Sequence, residues 1–224
     1  MEEMKIQKDR VEELLDKRFV RVYDLKYAEG KHYYDVTRRR REELVAVMPE
    51  ERFRSMTADA VSCCVVLRIA GRKPVLLLSY EYRYPLGRYV LGIPAGLIDE
   101  EDRAQPVPAL SAAAREIREE TGITVKPGDS LKLISPLVFS TPGMTDESNA
   151  LVCAVIDLED ETELNQKGAV DGEMFDGFCL ADRETALKLL SDGRDEHGRF
   201  YSVYTWCALM WFTTGCWEKG DRTE

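Results

Sequence analysis

The stretch from Arg115 to Ile123, which reads REIREETGI, carries three glutamates close together and then a glycine. On a helix with about 3.6 residues per turn, Glu116 and Glu120 lie one turn apart, and Glu119 lies on the same side. Like charges at this spacing repel and weaken a helix, so a helix that served stability alone would intersperse lysines. Gly122 is predicted to follow the helix, because glycine adopts the left-handed conformation at little cost. The stretch therefore predicts a helix with an acidic stripe and a sharp end.

Two interpretations of the acidic stripe are open from these residues alone. A tight group of carboxylate oxygens can bind a hard divalent cation, and Mg²⁺ is commonly held by a few carboxylates together with substrate phosphates. The alternative is a solvated acidic face with no ligand, which is common on glutamate-rich helices. The residues around the stretch favour the cation.

The stretch matches the second half of the Nudix box, in which Arg-Glu-apolar-any-Glu-Glu-any-Gly-apolar follows Gly, five residues, Glu and seven residues. Every specified position of that half is met. In the first half, the acid that follows Gly96 after five residues is Asp102 rather than Glu, and twelve residues separate it from Arg115. We interpret residues 103–107, ahead of Pro108, as an insertion of about five residues in the preceding loop, where insertions cost little. The role of Asp102 therefore stays open, whereas the metal-binding half is complete.

Segments on both sides of the box resemble the ADP-ribose pyrophosphatase branch of this family. Residues 78–87, LSYEYRYPLG, resemble its QYRxPxG segment, and residues 91–99, LGIPAGLID, resemble its ELPAGxID segment. Residues 139–147, FSTPGMTDE, resemble its SPGxxxE loop. Gly92 stands where this branch often has an acid. The resemblance covers residues 18 to 213 and implies the reaction class more firmly than the substrate.

The order of elements indicates an α+β fold, and the resemblance implies the Nudix α/β/α sandwich with a mixed sheet. Residues 1–57 are expected to form an N-terminal helix and β-hairpin, a small antiparallel β sheet that these enzymes use for dimerisation. Residues 58–224 are expected to form the Nudix hydrolase domain. The predicted helices are 12–17, 108–121, 182–190 and 200–212. The predicted strands are 18–27, 31–39, 60–69, 74–80, 89–93, 131–139, 150–157 and 174–180.

Two local features of this prediction bear on the site and on packing. Pro142 followed by Gly143 fits a type II turn, with proline first and glycine second. The last helix is expected to bury one face at helical spacing. That face consists of Phe200, Val203, Cys207 and Met210.

The resemblance implies a metal site and assigns roles around it. Mg²⁺, with Mn²⁺ as a substitute, would be held by Glu116, Glu119, Glu120 and the carbonyl of Ala95. Arg115 would orient the glutamates, because its planar guanidinium has several donors in a fixed geometry. The general base would be Glu147, with Glu119 as the competing assignment.

The substrate contacts are expected at Arg83, Gly96 and Gly143. Arg83 is the candidate for the phosphates, because arginine can bind oxyanions through two parallel hydrogen bonds. The run from Arg38 to Arg41 is a second basic feature. It is either a solvated strand end or a surface that faces a phosphate ligand.

Composition excludes some partners. The 224-residue chain has a formal charge of −10, whereas proteins that bind a nucleic-acid backbone normally carry a basic surface. The sequence contains no apolar run of the roughly eighteen residues that a membrane helix needs, and residues 1–17 lack the apolar core of a signal peptide. The six cysteines form no Cys-x-x-Cys pair, which favours reduced thiols in a cytosol. We therefore expect a cytoplasmic homodimer with no membrane or nucleic-acid partner.

The leading hypothesis is Mg²⁺-dependent hydrolysis of a nucleoside diphosphate linked to another moiety, with ADP-ribose cleaved to AMP and ribose 5-phosphate. Other nucleotide sugars, dinucleotides and oxidised nucleotides are alternatives within this class. A Nudix-like sensor that binds such a nucleotide without cleaving it is an alternative from another class. A scaffold with a structural metal is the third.

Overall fold

The computed structural model describes residues 5–170 and 172–218. Its contacts divide the chain into two compact units. The first unit contains residues 1–59 and 137–149, and the second contains residues 60–136 and 150–224. The domain division after residue 57 stays a prediction. Within the described ranges, no helix combines the length and the apolar surface that a bilayer crossing requires.

The elements follow the order that the sequence indicates. The strands are β1 (Val11–Asp16), β2 (Arg21–Ala28), β3 (Lys31–Thr37), β4 (Ala60–Ile69), β5 (Val75–Arg83), β6 (Arg88–Gly92), β7 (Ala95–Leu97), β8 (Ser130–Phe139), β9 (Ser148–Leu158) and β10 (Phe175–Ala181). The α-helices are α1 (Glu50–Arg54), α2 (Glu100–Arg103), α3 (Pro108–Thr121), α4 (Arg183–Asp192) and α5 (Val203–Thr213). Short 3₁₀ turns lie at Lys8–Arg10, Arg41–Glu43, Val45–Val47, Glu161–Glu163 and Cys216–Glu218.

The first unit contains an antiparallel sheet with the order β1-β2-β3. Its apolar core consists of Val11, Tyr23, Leu25, Leu44 and Val47. The prediction of a helix over residues 12–17 is wrong, because this segment is β1. Pairing with β2 satisfies its backbone, and Val11 enters the core while Leu14 remains 50% exposed.

The larger sheet has the order β10-β5-β4-β9-β8, with β6 paired to β5 and β7 paired to β4. Successive side chains of β4 face opposite sides, as a strand requires. Cys64 packs into the apolar cluster that includes residues of α4 and α5, whereas Cys63 lies within electrostatic range of Glu116 and Glu120 on α3. Helices therefore cover both faces of this sheet in the second unit, which confirms the α/β/α sandwich.

Helix α3 begins and ends where the sequence predicted. Pro108 occupies the first turn, where a missing N–H leaves no bond unmade, and Gly122 ends the helix with φ 76°. The predicted helix after Asp182 is also confirmed. Asp182 caps α4 by accepting a hydrogen bond from the backbone N–H of Thr185 at 2.8 Å, and Gly193 ends it with φ 69°.

Helix α5 starts later than predicted and buries a different face. It begins at Val203 and is capped by Ser202, and its buried residues are Thr205, Ala208, Leu209, Phe212 and Thr213. The predicted face is wrong, since Phe200 is 59% exposed and Val203 is 50% exposed. The helix is apolar on all sides, so periodicity alone does not select a face. The choice is fixed by packing and by the Thr205 hydroxyl, which donates to the carbonyl of Leu91 at 3.2 Å.

Candidate active site

Helix α3 places two of its glutamates in the interior of the second unit. Glu116 is 6% exposed and Glu120 is 3% exposed, whereas the side chain of Glu119 is 25% exposed. The helix packs against β4 and β7, so the acidic stripe faces the sheet rather than the solvent. Because Glu116 and Glu120 are buried, the acidic stripe is not a solvated face.

Arg115 organises the acids around it through several hydrogen bonds. Its Nη1 donates to Glu116 Oε1 at 2.7 Å and to Glu119 Oε2 at 3.1 Å. Its Nη2 donates to the carbonyl of Leu97 at 2.8 Å and to Asp102 Oδ2 at 2.9 Å. These contacts are those of a residue that orients the glutamates.

Asp102 anchors this arginine. Its carboxylate is 4% exposed, and it accepts hydrogen bonds from Ser111 Oγ at 2.8 Å and from the Asp99 backbone N–H at 3.2 Å. Burial acts to raise the pKa of Asp102, but the hydrogen bonds from Arg115 and Ser111 outweigh it and hold that pKa below its usual value. The first acid of the box therefore stays ionised and fixes Arg115, while residues 103–107, the segment that we interpreted as an insertion, connect the end of α2 to α3.

The backbone at Ala95 and Gly96 lies directly against the buried glutamates. The Ala95 backbone N–H donates to Glu120 Oε1 at 3.1 Å. A Cβ placed on Gly96 would lie 2.0 Å from Glu116 Oε1, so a side chain at this position would displace the Glu116 carboxylate. The box glycine thus allows the observed position of that carboxylate. Pro94 fixes the bend before it, since its carbonyl accepts from the Cys63 N–H at 2.8 Å.

The negative charges of the buried Glu116 and Glu120 carboxylates are only partly offset by the donors around them. Burial raises the pKa of Glu116 to about 7, although Arg115 opposes the shift, and Glu119 and Glu173 add to it. Burial also raises the pKa of Glu120 well above its usual value, against the hydrogen bond from Ala95. Glu120 Oε2 has no hydrogen-bond partner among residues 5–170 and 172–218. An unpaired buried carboxylate is costly, so this oxygen marks a place where a positive charge would be stabilised.

The glutamates do not converge by themselves into a metal cage. In the part of the chain that the structure describes, no group of three His, Cys, Asp or Glu side chains has the spacing to hold a metal ion. Arg115 accounts for this arrangement, because it binds Glu116 and Glu119. The donor set nevertheless fits a hard divalent cation, which takes carboxylate oxygens together with waters and substrate phosphates. The unpartnered Glu120 Oε2 supports that fit.

Two acids that the sequence analysis did not single out lie near this cluster. Glu81 on β5 and Glu173, which precedes β10, both raise the pKa of Glu120. Glu173 follows a segment that lies beside the end of α3 in space. In that segment the backbone N–H of Asn165 donates to the carbonyl of Thr121 at 2.9 Å. A Cβ on Gly168 would lie 2.6 Å from the carbonyl oxygen of Glu119. No sequence signal marks Glu173, since it is one of several acids in this part of the chain and belongs to no motif.

Arg83 lies at the end of β5, and its side chain is half exposed. Its Nη2 forms an ion pair with Glu81 Oε2 at 2.6 Å. The arginine is therefore held within the second unit, with its exposed part free to contact an anionic ligand.

Gly143 and Glu147 belong to the first unit. Glu147 forms an ion pair with Arg38 at 3.5 Å, and the carbonyl of Gly143 accepts from the Tyr33 hydroxyl at 2.8 Å. The predicted type II turn at Pro142 and Gly143 is wrong, because Gly143 is not among the glycines with positive φ. The Met144 and Thr145 N–H groups both donate to the carbonyl of Thr141, so the chain makes a helical turn.

Much of the arginine run is used inside the first unit. Arg39 pairs with Asp59 at 2.5 Å and with Asp146 at 3.4 Å. Arg41 donates to the carbonyl of Lys8 at 2.7 Å. Arg39 and Arg41 are thus engaged by their own unit, which favours a structural role for this part of the run.

Comparison with known proteins places these features in a family. The model of the NUDIX domain matches residues 56–204. Mouse ADP-sugar pyrophosphatase is 29% identical over 142 residues, which cover 63% of this chain and 61% of that protein. Yeast (Saccharomyces cerevisiae) ADP-ribose pyrophosphatase is 33% identical over 126 residues, which cover 54% of this chain and 50% of that protein. The chain spans about half the length of the curated relatives it matches.

A solved structure titled as an ADP compounds hydrolase has a similar fold. It aligns with a TM-score of 0.52 and 18% identity, and the alignment covers 92% of each chain. At this identity the likeness concerns the fold alone.

Proposed function

Because the chain belongs to the Nudix family, we propose that it is a Mg²⁺-dependent hydrolase of nucleoside diphosphates linked to another moiety, and that it cleaves ADP-ribose to AMP and ribose 5-phosphate. The observation that carries the proposal is the pair of buried glutamates on α3, of which Glu120 has an oxygen without a partner in the described ranges. The names of the mouse and yeast relatives support the substrate class.

In this proposal Glu116, Glu119, Glu120 and the carbonyl of Ala95 would hold Mg²⁺ or Mn²⁺. When bound, such a cation offsets the charge of the phosphates and makes a coordinated water more acidic. Arg115 keeps Glu116 and Glu119 oriented through its paired hydrogen bonds. Gly96 leaves the space that the Glu116 carboxylate occupies.

Arg83 is proposed to bind the phosphates of the substrate. Its guanidinium already pairs with Glu81 on one side, and half of the side chain is exposed. A guanidinium can make two parallel bonds to one phosphate, which adds geometric selectivity. Backbone contacts at Gly96 and Gly143 complete the proposed substrate set.

A general base is needed to remove the proton of the attacking water. Glu147 is the assignment that the resemblance implies, and Glu119 competes with it. The structure adds Glu173, which is close enough to Glu116 and Glu120 to raise the pKa of both. A base of this kind contributes about 10²- to 10⁴-fold to a rate. Glu173 is therefore a third candidate for the general base.

The proposal is tested by incubating the full chain with ADP-ribose and Mg²⁺ and separating the products by chromatography. We expect AMP and ribose 5-phosphate in equal amounts, and no product when EDTA is present. A protein that binds ADP-ribose, as measured by a rise in melting temperature, but releases no AMP would be a sensor and not a hydrolase. A panel of nucleotide sugars and dinucleotides under the same conditions would rank the substrates.

We further propose a cytosolic homodimer that associates through the β1-β2-β3 sheet. Apolar side chains on and beside this sheet are exposed, among them Leu14 at 50%, Phe19 at 67% and Tyr34 at 54%. The cysteines in the described ranges are all free thiols, which supports a reducing compartment. Light scattering coupled to size-exclusion chromatography would give the mass, and a monomer at micromolar concentration would overturn the dimer.

A further inference from the structure

Gly92 and Glu81 lie side by side on neighbouring strands, and the glutamate occupies the space that a side chain at position 92 would take. Strand β6 pairs with β5 so that Gly92 lies opposite Ser79, and Glu81 lies two residues further along β5. A Cβ placed on Gly92 would lie 3.4 Å from Glu81 Oε2 and 3.7 Å from Ser79 Oγ. An acid at position 92 would therefore bring its carboxylate to the place where Glu81 already has one.

The surroundings of Glu81 are unusual for a glutamate on a strand. Its side chain is 12% exposed, and Arg83 is its ion-pair partner. Burial raises the pKa of Glu81, Arg83 opposes the shift, and Glu173 adds to it. Glu81 therefore has Arg83 as its cationic partner and the acid Glu173 within electrostatic range.

Two buried polar atoms at this place point to a ligand. Ser79 is 2% exposed, and its Oγ has no hydrogen-bond partner in the described part of the chain. Glu120 is 3% exposed, its Oε2 also lacks a partner there, and Glu81 is the first acid that raises its pKa. Buried polar groups are normally paired, so these two oxygens indicate a missing partner, and the carboxylate of Glu120 calls for a positive one.

We propose that Glu81 supplies a further carboxylate to the cation site of α3, in the place that Gly92 leaves open. The inference rests on the proposed function, since it assigns a residue to the same site. Glu81 also holds Arg83 beside that site, so it links the cation to the residue proposed for the phosphates. In this proposal, Glu81 on β5 supplies the carboxylate that related enzymes often carry at the position of Gly92 on β6, and the negative charge stays in the same place.

The test is the affinity for Mn²⁺ in the absence of nucleotide, measured from the electron paramagnetic resonance signal of free Mn²⁺. We expect Glu81→Gln to weaken binding about tenfold, the lower end of what supporting groups at metal sites contribute. Glu159→Gln, which removes the same charge from an exposed position, is the matched control and should bind as the wild type does.

An exchange variant makes the test specific. Glu81→Ala alone should lose affinity, and Glu81→Ala combined with Gly92→Glu should recover it, because the carboxylate returns to the same place from the neighbouring strand. Melting temperatures would verify that each variant is folded. The proposal is overturned if folded Glu81→Gln binds Mn²⁺ as the wild type does, even if its KM for ADP-ribose rises, since the residue would then serve Arg83 alone. A folded exchange variant without recovery would overturn it too.

These outcomes are separate from those of the hydrolysis assay. If the wild type cleaves no nucleotide, the proposed function fails, whereas the Mn²⁺ titration still decides whether Glu81 belongs to a cation site.

Discussion

Asp146 in the first unit, whose side chain is 10% exposed, and Glu120 in the second unit, which is 3% exposed, have different surroundings. In the first unit, Asp146 accepts hydrogen bonds from Thr37 Oγ1 at 2.5 Å and from the Val45 N–H at 3.0 Å, and Arg39 lies 3.4 Å away. In the second unit, Glu120 accepts one hydrogen bond, from Ala95, and its other oxygen has no partner among the described residues.

Asp146 thus differs from Glu120, although Asp24 Oδ1 and Asp35 Oδ2 in the first unit also lack a partner among the described residues. A buried carboxylate that is met by several donors stabilises the folded chain, and removing a donor is costly. A buried carboxylate that is short of donors destabilises the folded chain, and a bound cation can offset its charge. The following variants test whether the surroundings of Asp146 and Glu120 have these different consequences.

The largest effect is expected for Glu120→Gln. We expect kcat/KM for ADP-ribose to fall at least about 10³-fold, because loss of this charge weakens the hold on a cation that stabilises the phosphates. The melting temperature should stay equal or rise, since an uncompensated buried charge is removed. A rate like that of the wild type would remove Glu120 from the site, and Glu159→Gln serves as the charge-matched control.

A second effect on the rate is expected for Glu173→Gln. We expect kcat to fall roughly 10²-fold, the lower range for loss of a general base, with the melting temperature unchanged. The matched comparison is Glu147→Gln in the first unit. A larger loss at Glu147 than at Glu173 would assign the base to Glu147.

Gly96→Ala tests whether the packing of Glu116 matters to the site. The added Cβ would lie 2.0 Å from Glu116 Oε1, so the carboxylate must move. A displacement of about 1 Å can cost about 10²-fold in rate, and we expect a loss of that size in kcat/KM. Unchanged kinetics in a folded variant would show that the position of Glu116 is not critical.

In the first unit the expected effect is on stability. Arg39→Ala leaves Asp59 and Asp146 without their shared arginine, and we expect the free energy of unfolding to fall by about 2 kcal/mol. Urea unfolding of this variant and of the wild type would measure it. A loss below about 0.5 kcal/mol, the size typical of surface substitutions, would contradict the structural role.

The smallest effect is on the pH dependence of the free energy of unfolding, and it concerns Asp35, which is also in the first unit. Burial raises the pKa of Asp35 to about 6 in the fold, Asp146 adds to the shift, and Arg39 opposes it. The unfolded chain releases this proton at lower pH than the fold does, so the residue makes the fold less stable as the pH rises from about 4 to 6. Asp35→Asn should reduce that loss by about 1–2 kcal/mol, measured by urea unfolding at pH 4 and pH 7. An identical pH dependence in both proteins would contradict the assignment.

The sequence prediction succeeded where local interactions determine the structure and failed where contacts between distant parts of the chain determine it. Helix α3 was predicted from Pro108 and Gly122, because its ends are determined by local backbone preferences. The prediction failed at β1, where pairing with β2 decides the conformation, and at α5, which is apolar all round.

The candidate site shows the same division. The glutamates of α3 were proposed from their spacing, since helical periodicity places them on one side of the helix. Glu81 and Glu173 were not found, because strand pairing and the course of a loop bring them near Glu120. The role of Asp102 likewise depended on its contact with Arg115, thirteen residues away in the sequence.

The central claim is that the unpartnered oxygen of Glu120 belongs to a cation site. Isothermal titration of Mn²⁺ into the wild type and into Glu120→Gln tests it most directly. We predict saturable binding by the wild type and at least about tenfold weaker binding by the variant, with no loss of melting temperature. Equal affinity in the two proteins would contradict the claim.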